Sequence, residues 1–260
     1  MKTNNTKKTP KNSSSQPLPS NTMRLNKYIA EAGVASRRRA DELITNGAVK
    51  VNKRVVKELG TIVNTSDFIT VYGDPISISN KHLYILLNKP KNCITSTVDE
   101  KGRHTVMDIV NVEARVFPVG RLDRNTTGAL LLTNDGELAN HLTHPRYQIT
   151  RVYNAKLDKP LNKLDAAKIA NGIELEDGCI TAPCEVTIHP DERSKVTITL
   201  TEGKNHEVRR IFEACGYEVK ALDRKHYHTL STKGLARGKY RFLLKPEISE
   251  LLKILSARQK

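Results

Sequence analysis

The stretch Gly120-Arg121-Leu122-Asp123-Arg124-Asn125-Thr126-Thr127-Gly128 sets a single carboxylate among glycines, hydroxyls and arginines. Held on a rigid scaffold, such a residue is offered to a ligand at the surface. The same composition also suits a tight turn in which the aspartate bonds its own backbone, and composition leaves both readings open. A second segment with chemical content is Glu202-Gly203-Lys204-Asn205-His206-Glu207-Val208-Arg209-Arg210, which opens a helix whose apolar stripe is Val208, Ile211, Phe212 and Cys215. Arg209 and Arg210 fall in its first turn, where free backbone N–H groups and guanidinium forks together can hold phosphate or carboxylate. A solvated basic face is the alternative. Tyr153, within the strand-like Arg151-Val152-Tyr153-Asn154-Ala155-Lys156-Leu157, reads by itself as a half-buried aromatic.

The elements that must position these residues lie around them. Val116-Phe117-Pro118-Val119 reads as a short strand and Ala129-Leu130-Leu131-Leu132-Thr133 as a buried run, so Asp123 sits on a loop between two core elements. Asn134-Asp135-Gly136 follows as a turn, with Asp135 placed to cap a helix from Glu137 to Leu142 that Pro145 closes; Asp135 is therefore read as structural. The helix carrying Arg209 should stop at Gly216. Leu83-Tyr84-Ile85-Leu86-Leu87 begins a buried strand, and from about residue 82 to 246 strands and helices alternate irregularly, favouring an α+β domain over a doubly wound parallel sheet. Residues 247–260 read as a short terminal helix, Ile248 to Leu255, with a basic end.

A different organisation precedes this domain. Residues 1–22 are rich in Lys, Asn, Ser, Thr and Pro and hold too little apolar surface to offset their ordering entropy, so a disordered basic arm is expected. Leu25, Tyr28, Ile29 and Ala32 then recur at helical spacing up to Gly33. Ser36 suits the N-cap of a second helix that buries Ala40, Leu43 and Ile44 and ends at Gly47. Arg37, Arg38 and Arg39 fill its first turn, where cations oppose the helix dipole, which points to phosphate binding rather than local stability. Val49 and Val51 alternate with polar residues, a turn follows near Lys53 and Arg54, and a further apolar stretch runs through Leu59, Ile62 and Val63. Residues 23–69 thus form a small α/β unit, with a polar linker expected over 70–81.

Bulk properties narrow the partners. The 260 residues carry a formal charge of +15 and a pI near 9.7, without a long apolar segment or the apolar core of a secretory signal. A polyanion, above all nucleic acid, is the expected partner, a membrane is not, and a cytoplasmic location follows as an expectation. Cys93, Cys179, Cys184 and Cys215 are scattered without zinc-site spacing and read as reduced, buried thiols. No histidine pattern implies a metal; His226 and His228 read as surface residues.

Two resemblances sharpen this reading. Arg24-Leu25-Asn26-Lys27-Tyr28-Ile29, Gly33-Val34-Ala35-Ser36-Arg37-Arg38, Ala40, Leu43-Ile44 and Gly47-Ala48-Val49-Lys50-Val51-Asn52 resemble the small RNA-binding domain shared by a small-subunit ribosomal protein, bacterial tyrosyl-tRNA synthetases and several RNA-modifying enzymes. That family often has Asp where Asn26 stands, a local capping difference. Gly120-Arg121-Leu122-Asp123, Thr126, Gly128 and Leu131-Leu132-Thr133-Asn134-Asp135-Gly136 resemble the signature of the RsuA-like ribosomal-RNA pseudouridine synthases. The likeness continues through Leu87-Asn88-Lys89-Pro90, Glu202-Gly203-Lys204, His206, Val208-Arg209-Arg210, Gly234-Leu235, Gly238 and Arg241.

This second resemblance implies a catalytic domain over 82–246 with a mixed, largely antiparallel sheet flanked by helices. It implies conversion of one uridine to pseudouridine in ribosomal RNA, best matched to large-subunit members, without metal or organic cofactor. Asp123 would be the essential carboxylate, Tyr153 would pack on the target base, and Arg209 would pair with Asp123. The ionised aspartate would act as nucleophile at C1′ or as base toward the C2′ proton. The cations expected to meet RNA are Arg24, Lys27, Arg37, Arg38, Arg39, Lys50, Lys53 and Arg54 in the first domain, and Arg121, Arg124, Lys204, His206 and Arg210 in the second. Partners are rRNA or an assembling ribosomal subunit, with the enzyme acting as a monomer. Glu207, where the family commonly has Gln, and the polar Lys225-His226-Tyr227-His228-Thr229 bear on target contacts. A noncatalytic ribosome-binding or assembly factor, and the same reaction on small-subunit rRNA or tRNA, are the competing readings.

Overall fold

The computed structural model describes residues 21–79 and 81–256, and the chain divides into two compact units, Met1–Ser79 and Asn80–Lys260. The first contains β1 (Thr22–Arg24), α1 (Leu25–Glu31), α2 (Arg37–Thr45), β2 (Val49–Val51), β3 (Arg54–Val55), β4 (Ile62–Asn64), β5 (Ile69–Val71) and β6 (Asp74–Ile76). Leu25, Tyr28, Ile29, Ala40, Leu43 and Ile44 pack on Val49, Val63, Ile69 and Val71. Ser36 caps α2 by accepting the Arg39 N–H at 3.2 Å. Asn26 does not cap: its amide donates to the Asp41 carboxylate at 2.9 Å, joining α1 to α2.

Two boundaries differ from expectation. Residues 70–76 are sheet, not linker: β5 lies between β2 and β6 in a four-stranded sheet ordered β3-β2-β5-β6. The Tyr72-Gly73 pair that reads as loop composition is the hairpin turn joining β5 to β6, with φ of 53° and 98°. Of the arm expected over 1–22, only Asn21 and Thr22 fall within the described residues, and Thr22 starts β1, paired antiparallel with β4.

The second unit contains β7 (Tyr84–Lys89), β8 (Phe117–Pro118), β9 (Thr127–Thr133), α3 (Gly136–Thr143), β10 (Arg151–Leu157), α4 (Lys163–Asn171), β11 (Glu185–Ile188), β12 (Lys195–Leu200), α5 (Glu207–Ala214), β13 (Val219–Tyr227), β14 (Leu230–Ser231), β15 (Tyr240–Phe242) and α6 (Lys245–Ser256). Its sheet runs β11-β12-β10-β13-β9-β7-β15, with β8 and β14 added at β9 and β13. All pairings are antiparallel except β13 with β9. One core joins Tyr153, Ala155 and Leu157 of β10 to Val208, Ile211 and Phe212 of α5; a second joins Leu86 and Leu131 to Leu138, Leu142 and Leu251. Leu251 places α6 in that second core, so this helix belongs to the unit rather than trailing from it. Among the described residues no helix is long and apolar enough to cross a membrane.

The parallel β9–β13 contact constrains the chain most tightly. Gly128, with φ of 109°, faces Arg224 so closely that an added Cβ would lie 2.2 Å from the Arg224 carbonyl oxygen. Gly128→Ala is expected to destabilise the unit by at least ~2 kcal/mol through overpacking and the unfavourable φ, seen as a lower thermal midpoint.

Candidate active site

Asp123 lies on the loop between β8 and β9, at the mouth of a cavity of about 330 Å³ that also meets Arg121, Thr126, Arg151, Tyr153, Lys204, His206, Glu207, Arg209, Arg224 and Tyr227. The backbone of this loop is tied from outside. The Lys89 side chain, fully buried, points its ammonium at the carbonyls of Asp123 and Thr126, both at 3.0 Å, Pro90 at 3.1 Å and Arg124 at 3.3 Å. Burial brings the Lys89 pKa down to about 8, against the raising influence of Cys93 and Asp123. Thr95 adds a reciprocal pair, its hydroxyl donating to Leu122 O at 2.7 Å and accepting the Leu122 N–H at 3.2 Å.

Because Lys89 and Thr95 satisfy the backbone, the Asp123 carboxylate is left to the cavity. Among the described residues no backbone N–H donates to it; Thr126 Oγ1 approaches Oδ2 at 3.4 Å and His206 Nε2 faces Oδ1 at 3.4 Å. The self-bonded turn is therefore not what forms. His206 stands just before α5 in the left-handed region, φ 51°, and makes no side-chain cap, which turns its imidazole toward Asp123.

The cavity wall comes from the sheet. Tyr153 is buried on β10, its ring among the residues lining the cavity. Opposite it, β13 bulges: Val152 pairs with His226 but Tyr153 with Arg224, leaving Lys225 as the extra residue. Arg224 is thereby turned inward, with Nε donating to Ala129 O at 2.7 Å and the guanidinium carbon 4.5 Å from the Tyr227 ring centre. Its Nη2 is buried without a hydrogen-bond partner. At the start of α5, Glu207 is buried, and burial together with the neighbouring Glu202 carboxyl pushes its pKa up to about 7. Among the described residues no group of three His, Cys, Asp or Glu is placed to hold a metal ion.

Residues 83–214 match the RNA pseudouridylate synthase family, and residues 23–69 match the S4 domain. The ribosomal large subunit pseudouridine synthase B of Bacillus subtilis is 46% identical over 233 residues, covering 88% of this chain and 95% of the relative. The chain belongs to the RNA pseudouridylate synthase family. A dual-specificity RNA pseudouridine synthase, RluF of Escherichia coli, is 36% identical over 241 residues, 92% of this chain and 81% of that protein. A crystal structure of a pseudouridylate synthase superposes with a TM-score of 0.65 at 31% identity, covering 88% of this chain and all but 1% of the other (99%).

As a pseudouridylate synthase the chain is an isomerase, and the cavity gathers Asp123, Tyr153, Arg209, Arg121, Lys204 and His206 as anticipated. Two expectations, the pairing of Arg209 and the burial of Cys179, differ from the structure. Arg209 does not pair with Asp123: its Nη1 donates to Val219 O at 2.7 Å, and the left-handed turn at His206 brings the imidazole to the carboxylate instead. Arg210 pairs with Glu176 and Asp177 through its Nε and Nη2 at 2.7 and 2.6 Å. Cys179 is exposed rather than buried. Arg121 and Arg124 remain exposed, whereas Lys204 is tied to Glu202 at 3.2 Å and to Ile180 O at 3.1 Å. In the first unit Arg24, Arg37, Arg38, Lys50, Lys53 and Arg54 are exposed, Arg39 is exposed but pairs with Glu42, and Lys27 faces Glu31 at 3.4 Å.

Lys89, Arg224 and Glu207 carry structural weight in the site that residue types alone did not assign. Lys89→Met would leave the carbonyls of Asp123, Arg124 and Thr126 without their buried donor, at ~1–3 kcal/mol. The expected result is a loss of isomerase activity of at least ~10-fold, the equivalent of ~1.4 kcal/mol, with faster hydrogen exchange over residues 122–127 than in the surrounding sheet.

Proposed function

We propose that this pseudouridine synthase converts one uridine of large-subunit ribosomal RNA to pseudouridine, with Asp123 as the catalytic carboxylate. The observation that carries the reading is the Asp123 carboxylate itself. Its loop is fixed through backbone carbonyls, so the side chain stays available beside Tyr153 in a cavity at the small end of ligand-pocket size. The extended similarity to the large-subunit synthase B of Bacillus subtilis supports the choice of RNA.

A base stacked in RNA cannot reach Asp123, so the uridine leaves the stack and enters the cavity, where Tyr153 packs against its ring. The N1–C1′ bond then breaks, the base turns, and a C5–C1′ bond forms; C5 gives up its proton and N1 gains one, so the product is an isomer. Asp123 serves either by attacking C1′ or by taking the C2′ proton. A single carboxylate suffices for this, unlike the acid pair of glycoside hydrolysis, because the leaving group returns to the same ribose. Arg121, Arg124 and Arg209 supply positive charge for the flanking phosphates. In the first unit the exposed Arg37 and Arg38, with Arg24, Lys50, Lys53 and Arg54, add affinity through phosphate contacts.

Asp123→Asn preserves shape and removes the charge. The variant is expected to bind rRNA as the wild type does and to release no tritium from 5-tritiated uridine in that RNA. Tritium release at the wild-type rate would overturn the assignment.

A further inference from the structure

Glu207 is 5% exposed, a burial that an ionised carboxyl tolerates only with full hydrogen bonding. Its Oε2 accepts the Lys204 N–H at 3.0 Å, while its Oε1 is buried with no donor. A second carboxyl, Glu202, from the other end of the same loop, is near enough to act on Glu207 as a hydrogen-bond partner and as a charge. Both Glu202 oxygens already act as acceptors, Oε1 for the Ala182 N–H at 2.8 Å and Oε2 for Lys204 Nζ at 3.2 Å. Two carboxyls in contact are satisfied together only when one carries a proton, and Glu207, with an oxygen lacking a donor, is the one placed to donate.

We propose that Glu207 serves this synthase as a neutral acid whose proton, shared with Glu202, clasps the two ends of the 202–207 loop and so sets His206 opposite Asp123. Glu207 is then a positioning residue. The loop it closes carries Lys204, Asn205 and His206, all of which line the cavity. Ionising Glu207 would set its buried carboxylate against the half-buried one of Glu202, and the loop would have to open.

Burial first, then the bond to and charge of Glu202, push Glu207 up to about 7. Burial alone would raise Glu202 too, yet bonds from Glu207, Ala182 and Lys204 bring it below its ordinary range. The other groups around the pair are Lys204 on the same loop and the Cys184 thiol before β11, pushed up to about 11 by burial and by Glu207, Glu202 and Glu185. Arg151 of β10 meets the loop backbone, donating to Glu202 O at 3.1 Å. Glu207 is an acid whose folded pKa is raised. Its contribution to stability is therefore full below the ordinary carboxyl range and declines as pH rises toward the folded value near 7. The clasp therefore weakens as pH rises.

The inference rests on Asp123 as the acting carboxylate, but the two fail differently: an active Asp123→Asn enzyme defeats that assignment, whereas an unaltered pH profile defeats this one. The experiment is single-turnover isomerisation of an rRNA fragment at pH 6 and 7.5 by the wild type, Glu207→Gln and Glu207→Ala, with thermal midpoints at both. The wild-type rate should fall several-fold from pH 6 to 7.5. Glu207→Gln, which keeps an N–H donor toward Glu202 at every pH, should not fall, and its thermal midpoint should gain on the wild type as pH rises. Glu207→Ala should be slow at both. If Glu207→Gln falls in parallel with the wild type, the fall belongs to another group, and the proposal is wrong. It is equally wrong if Glu207→Ala matches the wild-type rate at both pH values. Should Glu207→Ala not fold, the Gln profile decides alone.

Discussion

The buried ammonium of Lys89 is the interaction on which the catalytic unit's site depends. A charged amine inside a protein is costly unless its hydrogen bonds are met, and here the loop carbonyls of Asp123, Arg124 and Thr126 meet them. The exchange works in both directions. The loop gains a rigid backbone, and the one side chain that could have been spent on holding the turn, Asp123, is spared that role. The depressed Lys89 pKa records how strongly burial opposes the charge at this point.

Around that anchor, the sheet sets the remaining geometry. Gly128 lets β9 approach the backbone of β13 at Arg224, and the bulge at Lys225 then turns Arg224 inward beside Tyr153. On the opposite wall the left-handed His206 starts α5 so that an imidazole, not a guanidinium, faces Asp123. The cavity therefore sets the carboxyls of Asp123 and Glu207 among several cations, a charge pattern suited to an uncharged base carried on an anionic strand.

Local signals in the sequence were sufficient for what local chemistry determines. Ser36 and Asp135 cap the helices they were expected to cap, and Gly216, with φ of 75°, follows the end of α5. The Asp123 loop falls between the elements its apolar flanks implied, and the mixed sheet matches the α+β expectation. What was not legible depends on tertiary placement. Three-residue strands separated by Tyr72-Gly73 are too short to stand out from the polar run that follows, and only the pairing of β5 with β2 and of β6 with β5 shows them as sheet. Helical periodicity places Arg209 near the cavity, but it carries no information about the left-handed residue that precedes the helix. Arg224 was hidden because one bulged residue reverses the alternation on which strand reading relies. The Glu202–Glu207 contact exists only once their loop closes.

Whether Asp123 isomerises one uridine of large-subunit rRNA is read most directly from a map of pseudouridines by chemical adducts in a strain lacking this chain. One large-subunit site should lose its adduct in the deletion, regain it with the wild-type chain, and stay unmodified with Asp123→Asn. Either an unchanged map in the deletion or restoration by the Asn allele would contradict it.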